Sequence, residues 1–220
     1  MTETIITVKG RFSSAYPPER ARVELSVSFE GSDRDSVFEG TTVAADLVRD
    51  EITDLHDHTH GPVTAWTSDS VHVWSHRPWS EEGRRLNPVF HAAMAFSATF
   101  NDFEALARFI ERVAVIDGVT VGAIDWTLTD ARRTAVTAEV RSRAVKDAVA
   151  KASVYAQSIG LASVRAIAIA DPGMLGDQTL ATTARFEADM LRMTGAGGEL
   201  QFRPEDIEVI AEVDARFVAS

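Results

Sequence analysis

The chain contains no cysteine. Thiol nucleophiles, CxxC redox pairs, thiolate metal sites and disulfides are therefore excluded together. Positive charge is in deficit. The 22 Lys and Arg side chains face 33 Asp and Glu, for a formal net charge of −11, a field that repels phosphate backbones and anionic lipid headgroups. Nucleic acid is not an expected partner. Long apolar runs are also missing: the richest, Val89 to Phe100, is broken by His91, Ser97 and Thr99, well short of the roughly 18 apolar residues of a membrane span. Met1–Gly10 carries Glu3 and no apolar stretch of signal-peptide length, and neither Asn87 nor Asn101, the only two asparagines, begins an N-x-Ser/Thr acceptor. A cytoplasmic product without a membrane span is the expectation. No G-x-S-x-G elbow and no H-E-x-x-H pair occurs, which removes the common signatures of serine hydrolases and zincins.

What is present is an ordinary globular composition. Of 220 residues, 45% are apolar and 25% charged. A chain of that length corresponds to one or two domains and buries roughly 70% of its unfolded surface without metal or disulfide staples. Ile5–Arg11 is β-rich, and Ser13-Ser14-Ala15-Tyr16-Pro17-Pro18 supplies a turn signal before Ala21, Val23, Leu25, Val27 and Phe29 alternate at period two. The pattern predicts an opening hairpin with a half-buried second strand. A helix follows from Ser32 or Asp33, with Val37, Ala44, Val48, Ile52 and Leu55 on one face, and stops before Gly61-Pro62. Val63–His76 alternates again. The charged linker Pro78–Pro88, with Glu81-Glu82-Gly83-Arg84-Arg85 at its tip, leads into Val89–Phe100, whose even residues are all apolar. Asn101 or Asp102 caps a short helix, and Asp117-Gly118 turns the chain into a strand over Val119–Leu128, so this stretch reads β-β-α-β. The longest helical pattern begins at Asp130, repeats Ala138, Val145, Ala148, Ala152, Tyr155 and Ile159, and ends at Gly160. Strands are predicted over Val164–Ala170 and Ile207–Phe217. Between them lies a long connection with one weak helical stretch, Thr182–Met193.

The order of these elements and several local strings resemble the SIMPL domain family. The strings are Ile6-Thr7-Val8-Lys9-Gly10 with Pro18-Glu19-Arg20-Ala21; Asn87-Pro88-Val89-Phe90-His91-Ala92 running to Asn101-Asp102-Phe103; Ile124-Asp125-Trp126-Thr127-Leu128-Thr129-Asp130; and the alanine-repeated helix from Arg143 to Ala156 ending at Gly160. The resemblance spans nearly the whole chain. It implies an α+β fold of two-layer α/β sandwiches with mainly antiparallel sheets, in which the first and last parts of the chain share one sheet and the middle forms an insert. On that reading residues 1–60 plus 129–220 form a main subdomain and 61–128 an inserted one. Relatives of this kind include ring-forming assemblies and proteins linked to oxidative-stress defence, and the family offers no agreed catalytic residues.

Two clusters are candidate binding sites. His56-Asp57-His58-Thr59-His60 would set three imidazoles on one face roughly 6–7 Å apart if extended, and imidazole is a common metal ligand. A solvated loop is the commoner fate of such a run at a helix end, because zinc usually draws ligands from separated segments. The even face of Val63–His76 would carry Trp66, His72, Trp74 and His76, rings that suit a subunit contact, ordinary core or sheet cover, or a stacked small ligand. His91, on the sparse polar face of its strand, reads as structural. The glycines of Thr194–Gly198 lack a following Lys-Ser/Thr and precede a strand, so they read as a linker. Asp206, Glu208, Glu212 and Asp214 alternate with core residues and form a solvent-facing charge stripe. Taken together, the residues point to a module without a reactive centre and without a cofactor, self-associating and protein-binding, with a small-ligand or metal-binding protein as the alternative. Any redox role would need a bound metal or the 5 methionines.

Overall fold

The computed structural model describes residues 3–79, 87–175 and 204–220. The charged tip at Glu81–Arg85, the helical stretch Thr182–Met193 and the glycine linker after Thr194 lie outside the described residues. In chain order the elements are β1 (Thr4–Tyr16), β2 (Arg20–Gly31), α1 (Arg34–Leu55), β3 (Val63–Ser68), β4 (His72–His76), β5 (Val89–Phe100), α2 (Phe103–Val113), β6 (Val119–Thr127), α3 (Asp130–Ser158), β7 (Val164–Ala170) and β8 (Ile207–Ala219). They form two compact units, each an antiparallel sheet with helix on one face, which is the α+β class expected.

The first unit joins the two ends of the chain. β1 and β8 pair in unbroken register from Thr4↔Ala219 to Tyr16↔Ile207, and β7 adds to the other side of β8. Along α3 the buried residues fall at a strict spacing of four: Val136, Val140, Ala144, Ala148, Ala152 and Ala156. The inner stripe is rotated from the periodicity read in the sequence, so that Tyr155 and Ile159 are exposed. Small side chains win the inner face because the helix approaches β1 closely. A Cβ at Gly10 would overlap the carbonyl oxygen of Ala144 and lie 2.8 Å from Ala148 Cβ. α3 closes as a Schellman cap: Gly160 sits at φ 80°, its N–H donates to the Gln157 carbonyl, and Leu161 N–H donates to that of Ala156.

The second unit holds a five-stranded sheet, β3-β5-β2-β6, with β4 beside β5 along the same edge as β3. Asp33 and Asp102 cap α1 and α2 by accepting main-chain N–H groups of their first turns. The buried faces of β2 (Ala21, Val23, Leu25, Val27) and β5 (Ala92, Met94, Phe96, Ala98, Phe100) share one side of the sheet. Ala44, Val48 and Ile52 of α1 and Leu106, Phe109, Ile110 and Val113 of α2 complete the core with them.

Two expectations are corrected. β1 and β2 do not form a hairpin: β1 pairs β8, while β2 pairs β5 and β6. Pro17 and Pro18, which bias the residues before them toward extended backbone, lie between β1 and β2, where the chain passes from one sheet to the other. β2 and α1 accordingly lie in the second unit, which takes in Pro18–Leu128. Val63–His76 is likewise not one regular strand but two, β3 and β4, separated by Asp69–Val71.

Candidate functional site

The second sheet has one face under helices and one face open to solvent. On the open face β2 presents Arg22, Glu24, Ser28 and Glu30, and β5 presents His91 and other odd-numbered residues. The break between β3 and β4 decides which rings join them. Trp66 lies across from Ala98, a core-facing residue, whereas Trp74 lies across from His91, an outward one. Asp69 N–H still donates to the Ala95 carbonyl at 3.0 Å, so the chain stays on β5 while the pairing moves on by one residue. A one-residue slip exchanges the faces of everything after it. Trp66 therefore packs against the helix-covered core, and His72, Trp74 and His76 stand on the open side. The single predicted face is split.

What the sheet assembles instead is a ladder of four rings. His72 stacks on Trp74 with centroids 5.3 Å apart and 29° between planes, and Trp74 on His91 at 5.1 Å and 10°. His91 and His76 meet edge to edge, with centroids 4.9 Å apart and 24° between planes. His91 Nε2 and His76 Nδ1 share a hydrogen bond of 2.8 Å, one nitrogen donating and the other accepting. On the opposite side of the ring His91 Nδ1 lies 3.5 Å from Glu30 Oε2, its register partner on β2. Glu30, His91 and Trp74 thus form a row across three adjacent strands. Trp74 is 42% exposed, and the His91 side chain only 16%. Glu30 and His91 were not legible as site residues in the sequence. Only the cross-strand register makes them neighbours of Trp74, although both occupy outward positions of amphipathic strands.

The histidines after α1 do not share a face. His56 is the C-cap of α1 and bridges to Val63, after which the chain turns around Asp57, whose carboxylate accepts from Thr59 N–H at 2.8 Å and His60 N–H at 3.2 Å. Those two hydrogen bonds hold the Asp57 carboxyl below its ordinary value, with a smaller contribution from His56 and His58. His58 Nδ1 lies 3.3 Å from the Thr64 carbonyl oxygen. The segment is a turn, not a strand, so its imidazoles do not alternate along one side. Among the described residues, no group of three or more His, Cys, Asp or Glu side chains is arranged to hold a metal ion. None of the described helices is long and apolar enough to cross a membrane.

The family model described as SIMPL, protein of unknown function (DUF541), matches residues 6–217. The chain belongs to the SIMPL family. No curated protein matches it. The SIMPL match covers both units: the strand pair that unites the chain ends, and the sheet that carries the ring ladder.

Proposed function

We propose that this SIMPL protein is a binding module without a reactive centre of its own, that it associates with further copies of itself and with protein partners, and that the open sheet face around Trp74 is the contact surface. The observation that carries the reading is the ring ladder. A partly exposed indole is held between two imidazoles before any partner arrives, so little side-chain freedom is left to lose on binding. Flat, aromatic-centred surfaces suit protein contacts, whereas small ligands favour enclosed pockets. A second copy is the first occupant to test. Arg22 and Glu24 stand exposed on this face two residues apart, so two identical faces brought together across a two-fold axis can pair opposite charges. The net charge of −11 opposes that approach at long range, and association should strengthen as salt screens it. Any part in stress defence would run through binding, a bound metal or the 5 methionines, since there is no thiol to oxidise.

Light scattering at tens of micromolar tests the proposal. The expected result is a mass above that of a monomer, rising with ionic strength, and a Trp74→Ala variant at least tenfold weaker in association. A strictly monomeric wild-type protein at both low and high salt overturns self-association. A second reading, a planar small ligand stacked on the ladder, is favoured by the near-parallel Trp74 and His91 planes. Tryptophan fluorescence that stays unmoved across a panel of heteroaromatic metabolites would remove it.

A further inference from the structure

The His91–His76 contact has a geometry that the binding reading does not use. Two imidazole nitrogens that ligate one cation at about 2.0–2.1 Å, with a coordination angle between square-planar and tetrahedral, stand roughly 2.9–3.4 Å apart. His91 Nε2 and His76 Nδ1 stand 2.8 Å apart, and a proton now occupies the space between them. We propose that His76 and His91 form a two-histidine site for a late first-row divalent cation, with copper(II) the tightest and water completing the coordination shell.

Three features support the assignment. First, His91 is oriented from behind: Glu30 Oε2 lies 3.5 Å from its Nδ1, which favours the tautomer with the proton on Nδ1 and leaves the Nε2 lone pair aimed at His76. A carboxylate behind a ligating histidine is the usual outer partner of a metal site. Second, Trp74 covers one face of the His91 ring, with 10° between the planes, while Glu30 stands at its far edge, so one ligand is fixed before the metal arrives. Third, His76 is exposed and sits at the end of β4, which leaves room for water ligands and for the few tenths of an ångström of opening required. The exchange balances simply. In the neutral pair, the proton on His76 Nδ1 passes through solvent to its Nε2, so that both facing nitrogens present lone pairs to the cation; a singly protonated pair releases one proton. Imidazole nitrogens with open positions follow the usual divalent order, in which copper exceeds nickel and zinc. The site has two protein ligands, which agrees with the lack of any three-residue set among the described residues. The inference stands apart from the protein-binding reading, since either can fail alone.

Titration of the full-length, untagged chain with copper(II) at neutral pH, followed by calorimetry and tryptophan fluorescence, tests it. The expected result is one equivalent bound, with quenching carried by Trp74, whose ring is stacked on the ligating His91, and therefore largely lost in Trp74→Phe although binding persists. His91→Ala and His76→Ala should each weaken binding at least tenfold, and Glu30→Gln by a smaller factor. A variant with His56, His58 and His60 all changed to Ala should bind as the parent does. His76→Ala, an exposed strand-end substitution, keeps the test informative if His91→Ala does not fold. Absence of a stoichiometric complex in the parent chain, or binding that survives His76→Ala and vanishes in the triple variant, overturns the proposal.

Discussion

The two sheets solve the same packing problem with different side chains. The first unit lays one long helix on three strands through alanines and valines, with Gly10 beneath Ala144 and Ala148. The second lays two shorter helices on five strands through Phe96, Phe100, Phe109, Leu106 and Ile52, all fully buried. The open faces differ too. In the first unit that face carries ion pairs, with Lys9 and Arg11 both reaching Glu212, whereas the second carries the ring ladder. On the open side of the first sheet these charges stand beside exposed Ile5 and Ile210. The bulkier core supports the wider sheet on which rings from β4 and β5 meet.

The largest effect should come from emptying the bulky core. Phe109→Ala removes a fully buried ring that packs on Phe100 at 5.3 Å, and the unfolding free energy should fall by about 3–5 kcal/mol in urea titration. The matching test of the first unit adds volume instead. Gly10→Ala should cost about 1–3 kcal/mol, because the new methyl group meets the Ala144 carbonyl and helix and strand must separate. If Gly10→Ala were neutral while Phe109→Ala was costly, the small-residue packing of α3 on β1 would not be as close as described.

The sheets also differ at their edges. β3, β6 and β7 carry register shifts, and β4 is only five residues long, devices that spoil a template for pairing with another chain. β1 is a regular edge of 13 residues, and here α3 supplies the protection. Arg11 N–H donates to Asp147 Oδ2 at 2.8 Å, Lys151 Nζ donates to the Lys9 carbonyl at 3.1 Å, and Asp147 and Lys151 pair at 2.7 Å. The hydrogen bond from Lys151, then that from Arg11, holds the Asp147 carboxyl below its ordinary 3.8. A depressed carboxylate contributes its full stability above the ordinary value and loses it as the pH falls through the folded one. Stability should therefore drop on acidification below about 3.8, and Asp147→Asn should flatten that part of the profile. Asp147→Ala should cost about 1 kcal/mol at neutral pH and raise the tendency of β1 to pair between molecules, read as concentration-dependent thioflavin binding. An unchanged acid profile in Asp147→Asn would mean that the Asp147 carboxylate does not hold α3 on the β1 edge.

Much of the fold was legible because amphipathic periods are long and clean. Ala21–Phe29, Val89–Phe100 and the charge-striped β8 each alternate over several residues, and alternation of that length has one structural meaning. What failed depended on single residues between elements. Pro17-Pro18 resembles a hairpin turn in composition but stands between strands of two different sheets, and the one-residue shift at Asp69–Val71 leaves no trace in hydrophobicity while moving Trp66 to the face opposite Trp74. The inner face of α3 was misjudged because alanine stripes give little contrast: Tyr155 and Ile159 are more apolar than Ala152 and Ala156, yet only the latter are small enough for close approach to the sheet. Of the candidate site, His72, Trp74 and His76 were visible from local spacing. His91 and Glu30 were not, since they lie 15 or more positions away in sequence and meet the others only through strand pairing.

The sharpest test of the comparison uses the smallest changes in stability. Trp74→Ala breaks two stacking contacts on a surface already 42% exposed, so it should reduce stability by only about 0.5–1.5 kcal/mol while weakening association at least tenfold. Lys9→Ala breaks a 3.3 Å ion pair between exposed groups on the other sheet and should cost about 0.2–1 kcal/mol, leaving association unchanged apart from the added negative charge. Matched thermal melts and light scattering on the two variants separate stability from binding, because the changes are close in energetic size and differ in the face they alter. If Lys9→Ala were the variant that dissociated the protein, at salt concentrations high enough to screen the charge change, the contact surface would belong to the first sheet and the ring ladder would be left as a structural cross-strand stack.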